Sequence, residues 1–136
     1  MEIKEIPASE TWPLRHKVMW PNKPLDFVVL PIDEEGIHYG LFENKILVSV
    51  ISLFINSQEG QFRKFATDDY FQGRGYGTKL LNHLIEEAKK LNLKGLKCDA
   101  RMTAIEFYQR FGMEVVSDVV RKNGKDYVMM ELDFEQ

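Results

Sequence analysis

The stretch Phe65-Ala66-Thr67-Asp68-Asp69-Tyr70-Phe71-Gln72-Gly73-Arg74-Gly75-Tyr76-Gly77-Thr78 constrains the fold more than any other part of this chain, because it sets three glycines between an apolar strand and an amphipathic helix. Glycines at a strand-to-helix turn let the backbone reach left-handed angles and come close to a bulky ligand. The first N–H groups of the helix that follows have no intrahelical acceptors and face the same spot. With the positive end of the helix dipole behind them and Arg74 beside them, they make a place for an anion, and a phosphate or pyrophosphate fits it.

Spacing separates the glycine loops that could do this. A P-loop needs Lys and then Ser or Thr directly after its last glycine, whereas Gly77 is followed by Thr78-Lys79, the reverse order. A dinucleotide fingerprint needs a third glycine where Thr78 stands. What remains is the pattern Gln72-x-x-Gly75-x-Gly77, and a second pattern follows it: Ala104-x-x-Phe107-Tyr108-x-x-x-Gly112-Met113.

Together, in that order, the two segments resemble the GCN5-related N-acetyltransferase (GNAT) superfamily, whose patterns are Q/R-x-x-G-x-G/A and A-x-x-F-Y-x-x-x-G-F, with Met113 standing where Phe is usual. The resemblance is close over residues 61 to 116 and elsewhere agrees in element order. It implies an α/β fold with a mixed central sheet of about six to seven strands, one parallel β-α-β crossover and flanking helices. It also implies acetyl-coenzyme A as co-substrate. Its pyrophosphate would lie on Gln72, Gly73, Arg74, Gly75, Tyr76, Gly77 and Thr78. The backbone of Phe65, Ala66 and Thr67 would hold the pantetheine arm, and Arg101, Ala104 and Phe107 would line the same cofactor. Tyr108 stands at the family's general acid, and a phenol of pKa about 10 keeps its proton at neutral pH for a departing thiolate. From spacing alone, Tyr108 also reads as an amphipathic core residue.

Two positions depart from the family. Arg101 stands where many relatives carry Asn, and reads either as a contact to the cofactor or as a solvated strand end. Gln61 stands where some relatives carry a basic Glu, and an amide cannot take a proton. His38, Glu43 and Asp99 are substitutes for that base, and none is assigned.

At 136 residues the chain is expected to be one domain, with a core that needs neither disulfides nor a structural metal. The single cysteine, Cys98, alternates with Lys97 and Asp99 and reads as a buried apolar filler. A net charge of −3 with mixed Lys and Glu argues against nucleic-acid binding. His16, His38 and His83 show no metal-ligand spacing. No apolar run is long enough to span a membrane and the N-terminus lacks a signal core, so a cytoplasmic location is expected.

In the resembled fold, residues 12 to 37 line the acceptor side. They include Asp33-Glu34-Glu35, which reads either as an acidic rim favouring a cationic amine or as a solvated charge cluster. A small-molecule amine is the first expectation for the acceptor and a protein N-terminus or lysine the second. The rival from another class is a non-catalytic acyl-CoA-binding domain. A homodimer through an exposed strand edge is a further expectation.

The remaining elements follow from periodicity and punctuation. Residues 2 to 6 alternate as a strand, and a helix follows Pro7, capped by Ser9 or Thr11 and stopped at Trp20-Pro21. Residues 21 to 37 read as a long loop with one short helical turn. Strands run over 38 to 42 and 46 to 55 around the turn Glu43-Asn44-Lys45, and over 61 to 67. Leu80, Leu81, Leu84, Ile85, Ala88 and Leu91 form the apolar stripe of the helix after the glycines. A strand over 95 to 101 leads to a capping box, Thr103-x-x-Glu106, and a short helix ended by Gly112. Asn123-Gly124 is a hairpin turn between strands 113 to 121 and 126 to 134.

Overall fold

Each of these periodic runs becomes an element in the computed structural model, which describes residues 1 to 134. The order is β1 (Glu2–Ile6), α1 (Ala8–Met19), β2 (Ile37–Glu43), β3 (Ile46–Asn56), β4 (Glu59–Thr67), α2 (Tyr76–Lys90), β5 (Gly95–Arg101), α3 (Ile105–Gln109), β6 (Glu114–Val115), β7 (Val120–Lys122) and β8 (Lys125–Asp133). The hydrogen-bonded strand order is β1-β2-β3-β4-β5-β8-β6, with β7 also on β8. Only β4 with β5 is parallel among the described pairings, and α2 is the crossover between them, so the expected mixed α/β architecture is the one adopted.

The chain divides into two compact units, one of Met1–Phe54 with Phe62–Glu87 and one of Ile55–Gln61 with the chain from Ala88 on. In the first, β1 pairs antiparallel with β2, Ile3 opposite Leu41, and β2 pairs antiparallel with β3. The two residues between β2 and β3, Asn44 and Lys45, both take positive φ (51° and 67°), the twist that suits a two-residue hairpin. Ile6, Leu14, Val50 and Ala66 close into a core, with Val18, Met19, Phe42 and Leu47 packed against it. On α2, Leu80, Leu81 and Leu84 are fully buried, each worth about 1.5–3 kcal/mol of apolar transfer.

In the second unit, β4 pairs with β5 over Glu59–Gln61 only, and β5 pairs with β8 along its whole length, Gly95 opposite Asp133 through Arg101 opposite Tyr127. Gly95 is fixed by that pairing, because a side chain there would meet the Leu132 carbonyl oxygen at 2.5 Å. Asn123 and Gly124 take φ of 51° and 78° and turn β7 into β8 as a two-residue hairpin.

The structure corrects several local expectations. Neither Ser9 nor Thr11 caps α1; Pro7 is its N-cap without a side-chain bond, and the Thr11 hydroxyl donates back to the Ala8 carbonyl (2.7 Å). A hydroxyl one turn inside a helix has that nearer acceptor, which competes with capping. The Thr103/Glu106 capping box does not form: residues 102 to 104 make a tight turn, and Ala104 is the N-cap of α3, again with no side-chain bond. Leu91 lies past the end of α2 and is 47 % exposed, so the apolar stripe stops at Ala88. The loop over 21 to 36 contains two helical turns, Leu25–Val28 and Asp33–Glu35, where one was expected. The strand expected over 113 to 121 is broken into β6 and β7, because the Ser117 hydroxyl takes the Met129 N–H (2.8 Å) in place of a backbone carbonyl.

Candidate acyl-donor site

The loop between β4 and α2 is shaped by its own side chains. Asp68 accepts the Tyr70 N–H (3.0 Å), an Asx turn that starts the short turn Asp69–Phe71, and its other carboxylate oxygen accepts from Lys17 Nζ (2.7 Å). That lysine contact, first among its causes, holds the Asp68 carboxyl below its usual pKa. Gln72 Nε2 donates to the Thr67 carbonyl (2.9 Å) and to Asp69 Oδ1 (3.0 Å), tying the two ends of the turn together.

Gly73 and Gly75 then take φ of 76° and 84°, angles that side chains with a Cβ rarely adopt, and open space lies beside both. The first helical bond of α2 runs from the Lys79 N–H to the Gly75 carbonyl (3.1 Å). The N–H groups of Tyr76, Gly77 and Thr78 precede it and so have no intrahelical acceptor. Gly77 is constrained differently: a Cβ there would stand 3.4 Å from the Phe65 ring and 3.6 Å from Thr67 Oγ1, so the third glycine lets α2 start close against β4. This open left-handed turn, ahead of helical donors that have no intrahelical acceptor, fits a pyrophosphate group.

The strand that feeds the loop is distorted in a useful place. Lys64 takes φ of 55°, a left-handed residue inside β4 and a bulge-like break just before Phe65, Ala66 and Thr67. Ser49 on β3 secures the far side of this segment, donating to the Ala66 carbonyl (3.2 Å) and sharing a hydrogen with Thr67 Oγ1 (2.8 Å). Tyr76 is anchored sideways, its hydroxyl donating to Glu43 (2.7 Å).

The second unit carries the remaining sequence-predicted residues. Arg101 is exposed and caps the turn at the end of β5, Ala104 precedes α3, and Phe107 lies between Phe111 and Tyr108, with ring centroids at 5.1 and 5.2 Å. Tyr108 is buried at 9 % exposure; burial first, and the nearby Cys98 second, push its phenol well above the ordinary value. Cys98 is 2 % exposed, and burial followed by the Asp99 charge pushes its thiol up to about 12, which leaves a negligible thiolate fraction at neutral pH.

The candidate bases are all engaged. His38 is buried, with Nε2 against the Asp33 carbonyl (2.8 Å) and Nδ1 against Ser52 Oγ (2.6 Å). A carbonyl only accepts, so Nε2 carries the hydrogen there. Glu43 accepts from Tyr76, and Asp99 from Lys122 Nζ (3.1 Å).

The acidic rim is also altered. Asp33 is 3 % exposed, with both oxygens on Arg15 (2.8 and 2.9 Å) and further donors in Trp12 Nε1 (3.0 Å) and the Leu30 N–H (2.9 Å). Arg15, itself fully buried, also donates to the Val28 carbonyl (2.9 Å) and Ser52 (3.0 Å). Asp33 is therefore an internal anchor of the 21 to 36 loop, and of the three acids only Glu34 and Glu35 face solvent.

Residues 29–134 match the acetyltransferase (GNAT) domain family. The chain belongs to the GNAT acetyltransferase family. It is thereby an acetyl-CoA-dependent N-acyltransferase. Across 127 residues this GNAT chain is 22 % identical to the uncharacterized N-acetyltransferase YitI of Bacillus subtilis, covering 87 % of one and 85 % of the other. Its fold is like that of the ribosomal-protein-S18-alanine N-acetyltransferase of Escherichia coli, with a TM-score of 0.85 at 18 % identity, over 99 % of this chain and 94 % of that one. A GNAT family acetyltransferase from Elizabethkingia anophelis, solved with acetyl-CoA bound, gives a TM-score of 0.75 at 19 % identity over 98 % and 97 % of the chains. Among the described residues of the GNAT domain, no helix is long and apolar enough to cross a membrane.

Proposed function

We propose that this GNAT domain moves the acetyl group of acetyl-CoA directly to a primary amine of a small molecule, in the cytoplasm where the donor is available, with Tyr108 as general acid. Acetyl-CoA, when bound, supplies an activated thioester carbonyl. The chain's own residues supply placement and a proton: the Gln72–Thr78 loop holds the pyrophosphate, the backbone of Phe65–Thr67 orients the arm, Arg101, Ala104 and Phe107 line the donor, and the Tyr108 hydroxyl keeps a proton for the leaving thiolate. No metal is needed for this chemistry.

The observation that carries the reading is the family match over residues 29–134 together with the Tyr108 phenol on α3, which holds its proton at neutral pH as any phenol does. Direct transfer is favoured by the state of Cys98, since the chain's one thiol is buried and protonated and cannot carry an acyl group between half-reactions. No base is assigned: the amine loses its proton to solvent or through a water, because His38, Glu43 and Asp99 are already paired.

A second reading is transfer to a protein amine, favoured by the fold's likeness to the E. coli enzyme named for the S18 alanine. The experiment is release of free CoA thiol from acetyl-CoA over a panel of small amines, polyamines, amino acids and N-terminal peptides, with wild type and Tyr108→Phe. Turnover with a small amine that falls about 10- to 10,000-fold in the variant is the expected result. Turnover only with peptides moves the acceptor to the second reading, unchanged turnover in the variant removes the acid role, and tight acetyl-CoA binding without any turnover overturns the assignment of a small amine.

A further inference from the structure

The short turn Asp69–Phe71 carries an aromatic surface for which a pyrophosphate loop has no use. Tyr70 is 72 % exposed, the most exposed large apolar side chain among the described residues. A single exposed tyrosine needs no explanation, but this one is held in place and has company. Its backbone is fixed by Asp68, and Asp68 by Lys17. The Arg74 guanidinium stands 4.8 Å from the Tyr70 ring centre and 5.4 Å from that of Phe71, and the two rings meet edge to face at 5.1 Å. Phe71 in turn packs on Tyr76 at 5.9 Å, so the group is anchored to the first turn of α2.

A flat π face beside a planar cation is the chemistry that binds a purine bearing phosphate. The base stacks on the ring, while guanidinium N–H groups stay available for phosphate oxygens. Among the described residues no carboxylate pairs with Arg74, whose contacts are the two rings. Arg74 sits between Gly73 and Gly75, so the platform lies within one side-chain length of the loop. We infer that Tyr70, with the cradle's Arg74 beside it, forms the platform that stacks the adenine of the acyl donor, an extension of the glycine cradle that rests on the proposal that the cradle holds the pyrophosphate.

The test is calorimetric binding of CoA, of 4′-phosphopantetheine, which lacks the adenosine, and of adenosine 3′,5′-bisphosphate, which lacks the arm. Wild type, Tyr70→Ala and Tyr70→Phe are compared. Tyr70→Ala is expected to weaken CoA and the bisphosphate about 5- to 150-fold, the span of one lost base–aromatic stack, while phosphopantetheine binding stays within about twofold and Tyr70→Phe binds like wild type. The exposure of Tyr70 means that the melting curve of the variant should overlay that of wild type. Equal weakening of CoA and phosphopantetheine, or no weakening of CoA, overturns the platform while leaving the cradle standing. A wild-type protein that binds neither CoA nor phosphopantetheine overturns both.

Discussion

Replacing Arg15 by Met tests the buried network at its centre. Arg15→Met keeps the apolar stem of the side chain and removes two of the four donors on the Asp33 carboxylate, leaving Trp12 Nε1 and the Leu30 N–H. At 3 % exposure the carboxylate cannot recover them from water. An uncompensated buried charge costs about 3–5 kcal/mol, a large share of a typical total of about 5–15 kcal/mol. At about 3 °C per kcal/mol for a chain of this size, the melting point by circular dichroism should fall about 9–15 °C at pH 7.

The sign of the pH dependence is a second, sharper check. Burial alone would raise the pKa of Asp33; the hydrogen bonds from Arg15, Leu30 and Trp12 outweigh it and leave the value lowered. In wild type this group therefore contributes stability that is complete above its unfolded pKa of about 3.9 and is lost as pH falls through the lower folded value. In Arg15→Met the burial remains and the largest opposing cause is gone, so the folded pKa rises from its wild-type value. The variant can then protonate Asp33 and shed the buried charge, and the gap between the two proteins should narrow as pH is lowered from 7 toward 4. Adding Asp33→Asn to Arg15→Met should recover about 2 kcal/mol at pH 7, since contacting residues couple on that scale. A fall of less than about 3 °C in the single variant, or a gap that does not change with pH, would refute the argument that Asp33 is held as a charge by Arg15.

Three further outcomes are expected. Gly75→Ala meets no neighbour within 4 Å, so its penalty is backbone strain of about 1–2 kcal/mol at a φ of 84°; the KM for acetyl-CoA should rise, and an unchanged KM would mean that the left-handed turn is not needed for the donor. Gln72→Ala breaks both ties across the turn; donor affinity by calorimetry should fall about threefold to tenfold, with little change in melting point because the residue is exposed, and a large stability loss would contradict a role confined to the loop. Cys98→Ala should keep turnover while losing about 1–2 kcal/mol of stability, and native protein should resist iodoacetamide; loss of turnover would show that the thiol takes part in the chemistry.

What could be seen in advance was whatever is written locally. The glycine turn, the Asn123-Gly124 hairpin and the α2 stripe from Leu80 to Ala88 each depend on residues a few positions apart, so spacing specified them. The caps were misread because Ser9, Thr11 and Thr103 have several local acceptors within reach, and sequence does not say which one the hydroxyl takes. The broken edge strand depends on Ser117 meeting Met129 across the sheet, and the charge state of the 21 to 36 loop depends on Arg15 meeting Asp33, eighteen residues on. Such pairings exist only after folding. The Asx turn at Asp68, absent from the sequence reading, joins residues two apart, whereas its lysine partner, Lys17, lies fifty-one residues away.

The tied turn at Gln72 bears on how the catalytic cycle ends. The loop is ordered by bonds at Gln72, Asp68 and Lys79 that need no ligand, so under the proposed donor role little conformational freedom is lost when a nucleotide arrives. The part of the donor that such a loop can grip is common to acetyl-CoA and to free CoA. A rigid grip on a shared handle binds both alike, lowering KM without lowering the chemical barrier. Spent CoA should therefore compete with fresh donor at similar concentration, and its departure becomes a step that can set the pace of turnover.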